Sequence, residues 1–275
     1  MTIFANELPP EFPFPEKVNT VVCCDLDETY IPFSPENKVY GGVNELEQYM
    51  YYSAADKGIL LGWITGTNLP SALRKSEGYI SRSPHFICCS LATEFYWVRN
   101  GQLIRSEKWL SRIEKSGFHA SSVNRILESI REKNIKIVGQ PADYQGPYKI
   151  SFYYYIRPEM EADFAWIETL CTQWNIRVLL TRCNPAAGDP KNCYDVEFIP
   201  TCCGKDQAVA FLKEEMQLPR RSIFAFGDSC NDFPMFSQAG HAYLVANADH
   251  LAISLHGNCL DKPYCHGILS VLAEI

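Results

Sequence analysis

Thr20-Val21-Val22-Cys23-Cys24-Asp25-Leu26-Asp27-Glu28-Thr29 runs from an apolar stretch directly into two carboxylates two residues apart. The first half has the composition of a buried strand, since Val favours strands and free Cys packs as a small hydrophobe. On a continued strand Asp25 and Asp27 would share one face and repel, and a nearby cation is the usual remedy. Hard divalent cations such as Mg²⁺ take a few carboxylate oxygens together with water and phosphate. Ligands of α/β sheets also gather beyond the carboxyl ends of strands. The stretch therefore reads as a strand end carrying a carboxylate–Mg²⁺ phosphoryl site. Taken alone, an ordinary acidic loop after a strand accounts for it equally well.

The flanking sequence supplies the frame. Residues 41–57 place Val43, Leu46, Met50 and Ala54 at helical spacing, and Gly58 closes the helix. Residues 59–64 form an apolar run that stops at Thr65-Gly66-Thr67, after which Asn68 can cap a second helix. Residues 84–90 make a third strand. Strand–helix alternation of this kind predicts a Rossmann-like parallel sheet covered by helices, an α/β fold.

From residue 95 the rhythm changes. Asn100-Gly101 between two β-rich runs is a hairpin signal. Helices at 121–133 and 159–174 then alternate with strands at 135–138, 149–156, 177–182 and 194–199. The expectation is an α+β cap over 95–199, inserted in a core built from 19–94 and 200–275. Pro9, Pro10, Pro13 and Pro15 mark residues 1–18 as an extended lead-in.

The totals describe a globular chain of 275 residues, with net charge −7 and pI near 5.4. No basic patch invites nucleic acid, and no apolar run is long enough to span a membrane. The first residues lack a basic segment followed by an apolar one, so a cytoplasmic protein is expected. Twelve cysteines occur without any Cys-x-x-Cys spacing, which argues against a zinc site and for buried free thiols.

Three further stretches join Asp25 and Asp27. Thr65 ends a buried strand, where its hydroxyl and the neighbouring Gly66 amide can hold a phosphate oxygen. Lys205 opens a helix after Gly204, where the helix dipole disfavours an ammonium unless an anion lies beside it. Gly227-Asp228-Ser229-Cys230-Asn231-Asp232 puts carboxylates on a turn after another strand. In order and spacing these stretches resemble the four motifs of the haloacid dehalogenase superfamily.

That resemblance implies roles. Asp25 is the nucleophile that becomes an aspartyl-phosphate, and Asp27 is the general acid and then the base. Thr65, Gly66 and Lys205 bind the phosphoryl group. Asp25, the Asp27 carbonyl and Asp228 hold Mg²⁺, while Asn231 and Asp232 orient the site. An Asp two residues after the nucleophile is a phosphatase feature, and a cap between the Thr and Lys motifs resembles the Cof-type and sucrose-phosphatase-like branches. The segments 182–190 and 194–200 further resemble phosphatases of aminosugar 6-phosphates such as kanosamine 6-phosphate, which serve antibiotic biosynthesis. The expected partner is thus a small phosphorylated sugar or aminosugar, with Glu94, Lys149, Arg182, Asn184 and Asp189 as its candidate contacts. A phosphomutase or phosphotransferase, or a non-catalytic phospho-receiver, remains an alternative.

Overall fold

A computed structural model describes residues 8–33, 37, 41–185 and 188–275. The start of the lead-in (1–7), and Ala186 and Ala187 of the 182–190 loop, lie outside the described residues. The chain divides into two units, Met1–Trp109 with Lys205–Ile275, and Leu110–Gly204.

The first unit begins with β1 (Thr20–Cys24), α1 (Val43–Lys57), β2 (Ile59–Ile64), α2 (Leu69–Ser76) and β3 (Phe86–Cys89). A hairpin of β4 (Glu94–Arg99) and β5 (Gln102–Arg105) follows, and α3 (Glu107–Glu114) contains the unit boundary. The second unit holds α4 (Ala120–Glu132), β6 (Ile137–Gly139), β7 (Ile150–Tyr155), α5 (Met160–Gln173), β8 (Ile176–Arg182) and β9 (Cys193–Pro200). The chain returns to the first unit with α6 (Lys205–Met216), β10 (Ile223–Gly227), α7 (Phe233–Gln238), β11 (His241–Leu244), α8 (His250–His256) and α9 (Tyr264–Leu272).

The core sheet has the order β11-β10-β1-β2-β3-β4-β5. Its first five strands are parallel, and β4 and β5 continue it antiparallel. Strands β1, β2 and β10 are buried almost throughout, as a sheet covered on both faces requires. Glycine is obligatory at position 62, because a Cβ there would lie 2.4 Å from the Phe86 ring on the neighbouring strand. Register then fixes the site. Cys24 pairs with both Trp63 and Phe226, so Asp25, Thr65 and Asp228 emerge together at the carboxyl edge. Strand β1 lies between β2 and β10, where the strand order reverses, and this is the position at which such sheets bind ligands.

Two expectations need correction. The Asn100-Gly101 hairpin exists, with both residues at positive φ, but it extends the core sheet instead of starting the cap. Cross-strand packing explains this: Phe86 and Phe95 stack at 5.6 Å, and Trp109 and Phe211 pack against Phe95. The second unit accordingly spans 110–204 and not 95–199. The lead-in, from residue 8, is also part of the core. Leu8 N–H donates to Gly101, Phe12 N–H donates to Ser83, and the Phe12 side chain is fully buried.

The second unit is a four-stranded antiparallel sheet, β6-β7-β9-β8. Helices α4 and α5 bury Val123, Ile126, Ile130 and Ile167 against Tyr154, Val196 and Phe198 on one face. Strand alternation turns Ser151, Asp195 and Glu197 to the opposite face. Among the described residues no helix is long and apolar enough to cross a membrane. All twelve cysteines are free, and nine are buried.

His85 ties the lead-in to the sheet. Its Nδ1 accepts from Leu61 N–H at 3.0 Å, and Nε2–H donates to the Pro13 carbonyl at 3.2 Å. Burial pushes its pKa down to about 4. An unfolded histidine takes its proton near pH 6.5. Between these values the unfolded chain binds a proton that the folded chain refuses. Stability is therefore full above about pH 6.5 and falls as pH drops towards 4. A Gln at this position can keep a donor and an acceptor without the proton uptake. The urea-unfolding free energy of wild type should fall between pH 7 and pH 4.5 by about 2.5 kcal/mol more than that of His85→Gln. Equal losses would assign the acid sensitivity to other groups.

Candidate active site

Three loops at the carboxyl edge of β1, β2 and β10 hold the polar residues, and buried charge organises them. The Lys205 ammonium, on the first residue of α6, lies 2.9 Å from Asp25 Oδ1 and 2.6 Å from Asp232 Oδ1. It also donates to Asn231 Oδ1 at 3.3 Å. Asp25, Lys205 and Asp232 are 5%, 6% and 0% exposed, so water does little to screen them. Burial opposes the Lys205 charge, but Asp232 and Asp25 outweigh it and hold the ammonium above its ordinary pKa. These anions are what the helix start lacked.

Asp232 is satisfied further by the β10 loop. Its Oδ2 accepts the N–H groups of Asp228 at 3.0 Å and Ser229 at 3.2 Å. That wrap needs Gly227, since a Cβ there would fall 2.3 Å from the Asp232 carboxylate. Asp228 points its own carboxylate inward, with Thr29 Oγ1 donating to it at 3.3 Å.

The donor set fits a hard divalent cation. Carboxylate oxygens of Asp25, Asp228 and Asp232 lie within 4.8 Å of one another, and the Lys205 ammonium pairs with two of the three, Asp25 and Asp232. Asp232 is neutralised by Lys205 and two amides, so excess negative charge falls on Asp25 and Asp228. Burial is the main force raising the Asp25 pKa, to about 7, with Asp232 and Asp27 adding to it against Lys205. Burial, then Asp232 and Asp25, likewise pushes Asp228 well up. A cation bound by oxygen ligands is the electrostatic complement of such a pair.

A second ammonium serves Asp27. Lys75 Nζ, from α2, lies 2.8 Å from Asp27 Oδ1 and 2.9 Å from Oδ2. Thr67 Oγ1 donates to Oδ2 at 2.7 Å, and Thr67 N–H donates to Thr65 Oγ1 at 3.1 Å. The Thr65-Gly66-Thr67 loop is held in turn by a left-handed turn after β3. Ser90, Leu91 and Ala92 all have positive φ, 52°, 58° and 62°. Ser90 N–H donates to Thr67 O and Leu91 N–H to Thr65 O. Such backbone costs about 1–3 kcal/mol per non-glycine residue and persists only where the surroundings enforce it. Ser90 Oγ donates to Glu94, Trp109 Nε1 donates to Ala92 O, and Leu91 packs beside Gly66.

The eight residues expected at the phosphoryl site, Asp25, Asp27, Thr65, Gly66, Lys205, Asp228, Asn231 and Asp232, thus occupy one sheet edge. The five expected sugar contacts do not form one group. Glu94 lies on β4 of the core sheet, with its oxygens accepting from Ser90 and Tyr96. Lys149 is in the other unit, paired with Glu197 at 2.8 Å, and both are buried. Arg182 is exposed at the end of β8. Asn184 and Asp189 bond each other across a turn, Asn184 N–H to Asp189 Oδ2 at 3.0 Å.

Sequence reasoning missed Thr67 and Lys75. It also missed the polar face of the second sheet, where Gln140 Nε2 donates to Asp195 at 2.6 Å and Cys183 lies beside the same carboxylate. The alternation of Asp195 and Glu197 along β9 was the available signal for that face; a lysine late in a helix gives none. Cys183, Asp189 and Asp195 also cluster, but burial pushes the Cys183 thiol up, and a protonated thiol is a poor metal ligand.

The chain can be set against known proteins at this point. The family model described as sucrose-6F-phosphate phosphohydrolase matches residues 18–264. Kanosamine-6-phosphate phosphatase of Bacillus subtilis is 35% identical over 260 residues, covering 93% of this chain and 92% of the relative. Uncharacterised hydrolases of Staphylococcus aureus are 27–28% identical over 249 residues. Among solved structures, a haloacid dehalogenase-like hydrolase from Bacillus subtilis superposes with a TM-score of 0.78 at 33% identity, covering 98% of this chain and 95% of that one. A sucrose-phosphatase from Synechocystis, solved with sucrose and phosphate, shares the fold with a TM-score of 0.70 at 17% identity, over 94% and 98% of the chains. The chain is an enzyme of the haloacid dehalogenase superfamily and belongs to its sucrose-6F-phosphate phosphohydrolase family of phosphatases.

Proposed function

We propose that the enzyme is a Mg²⁺-dependent phosphatase of a small aminosugar 6-phosphate such as kanosamine 6-phosphate, acting through an aspartyl-phosphate. The observation that carries the mechanism is the pair of aspartates after β1, each held by a different ammonium. Asp25, against Lys205, has the buried position of a nucleophile. Asp27, against Lys75 and Thr67, is the less buried of the two and the group that can exchange a proton.

In the first step an Asp25 oxygen bonds to phosphorus and the bond from phosphorus to the sugar oxygen breaks. Asp27 gives its proton to that departing oxygen. In the second, Asp27 takes a proton from water, the water oxygen bonds to phosphorus, and the Asp25–phosphorus bond breaks to release phosphate. The Thr65 hydroxyl accepts from Thr67 N–H, so its own proton is available to a phosphoryl oxygen, beside the Gly66 amide. Lys205 offsets the charge of Asp25 and of the transferring group, while Asn231 and Asp232 keep Lys205 in place. Mg²⁺ would be held by Asp25, Asp228 and the Asp27 carbonyl, and would neutralise phosphoryl oxygens.

The aminosugar reading rests on the Bacillus relative and on the polar face of the second sheet. Glu197 there is already neutralised by Lys149, whereas Asp195 is a carboxylate whose pKa burial and Glu197 raise to about 6. Its surplus negative charge suits the ammonium of an aminosugar, with Lys149 on the same face and Asp189 beside it for hydroxyls, whereas Arg182, in register with Tyr194, lies on the other face of the sheet. Glu94, committed to Ser90 and Tyr96, is better suited to supporting the Thr65 loop.

Phosphate release should be measured on kanosamine 6-phosphate, glucosamine 6-phosphate, glucose 6-phosphate and sucrose 6-phosphate. We expect preference for an aminosugar, loss of activity with EDTA and its return with Mg²⁺. Asp25→Asn should lose about a thousandfold or more in kcat. A folded enzyme that releases phosphate from sucrose 6-phosphate alone would overturn the substrate. Asp195→Asn should lower kcat/KM on the aminosugar phosphate about tenfold or more while changing glucose 6-phosphate little. Equal effects on both would remove Asp195 from recognition.

The charge arrangement also predicts a stability effect. Lys205→Met leaves Asp25 and Asp232 buried and facing each other, at a cost of about 3 kcal/mol or more by urea unfolding. A loss within a few tenths would mean that the ammonium contributes nothing to the fold.

A further inference from the structure

The reaction above uses Asp27 but leaves its companion without a task. Lys75 grips both Asp27 oxygens, at 2.8 and 2.9 Å, and lies 3.3 Å from Thr67 Oγ1, which itself donates to Asp27. Stability does not explain the pair. The Lys75 side chain is 37% exposed, and ion pairs that wet add little to folding. Nor is its position accidental. Asn68 Oδ1 caps the start of α2 by accepting from Ser71 N–H, and Leu69, Ala72 and Ser76 bury one face. These anchors fix where the last turn of the helix delivers its lysine. The Phe33 ring, 5.5 Å from the ammonium, covers it from another side.

Proton transfer needs the carboxylate oxygen within hydrogen-bond reach of the departing oxygen or the water. The terminal torsion of an aspartate is broad, so an unheld Asp27 would spend much of its time turned elsewhere. Contacts to both of its oxygens remove that freedom.

We infer that Lys75 is a positioning residue which, with Thr67, orients the Asp27 carboxylate for proton transfer. The inference rests on the acid–base reading of Asp27. It distinguishes the two ammonium groups of the site: Lys205 acts on the nucleophile and the phosphoryl group, and Lys75 acts only through Asp27.

The test combines Lys75→Met with Asp27→Asn on two esters. One is the sugar phosphate, whose alkoxide needs a proton to leave. The other is p-nitrophenyl phosphate, whose leaving group does not. Lys75→Met should lower kcat/KM on the sugar phosphate about 10- to 100-fold and on p-nitrophenyl phosphate by less than about threefold. Lys75→Arg should recover most of the loss, and thermal melting should show both variants folded. In the Asp27→Asn background Lys75→Met should cost nothing further. Equal losses on the two esters, or losses that multiply in the double variant, would overturn the inference and make Lys75 a phosphate ligand or a structural residue. If Asp27→Asn alone leaves the sugar phosphate rate intact, it is the acid–base reading that fails.

Discussion

The contact on which the rest of the active-site edge depends is the bridge from Lys205 to Asp25 and Asp232. A buried carboxylate cannot stay charged without compensation, and here one ammonium compensates two. The bridge joins the end of β1, the start of α6 and the loop after β10, which are distant in sequence. Gly227 exists to let Asp232 approach, and Asp232 exists to hold Lys205 while fastening the backbone of Asp228. The same economy leaves Asp25 and Asp228 with more negative charge than the protein itself cancels. Attraction for a divalent cation is thus a result of how the fold is charged.

The two units differ in chemistry. The first presents hydroxyls, carboxylates and lysines at the end of a parallel sheet, a setting indifferent to what the phosphate is attached to. The second carries a buried ion pair and a partly buried carboxylate on one sheet face, with an apolar cluster on the other. The Bacillus relative and the matching family model are named for different sugar phosphates.

The core was legible in the sequence because its signals are local. Strand ends, Asn68, Gly58 and the acidic loops sit next to the apolar runs that position them, and register does the rest. What escaped depends on contacts between distant segments. Nothing near Asn100-Gly101 says that Phe95 stacks on Phe86, so the hairpin was read into the wrong unit. The prolines suggested an extended lead-in over residues 1–18, and nothing in them says that Phe12 and the Pro13 carbonyl beside His85 tie this segment into the core. Lys75 was invisible because a lysine in the last turn of a helix is ordinary on dipole grounds alone. Lys149 was read as a sugar contact, and its partner Glu197 was overlooked.

The turn Ser90-Leu91-Ala92 has a consequence for how this sequence can drift. Each of its residues holds a backbone conformation that glycine or asparagine would adopt more cheaply. Two of them also contribute what glycine cannot supply. Ser90 gives Glu94 a hydroxyl and Leu91 fills the space beside Gly66, whereas Ala92 offers Trp109 a backbone carbonyl that any residue carries. β-Branched residues are shut out by the backbone, and glycine at 90 or 91 is penalised by the lost contacts. Ser90 and Leu91 therefore have a narrow permitted alphabet although neither is among the reacting groups. Substitutions there should accumulate more slowly than burial alone would suggest, in step with changes at the threonine loop they brace.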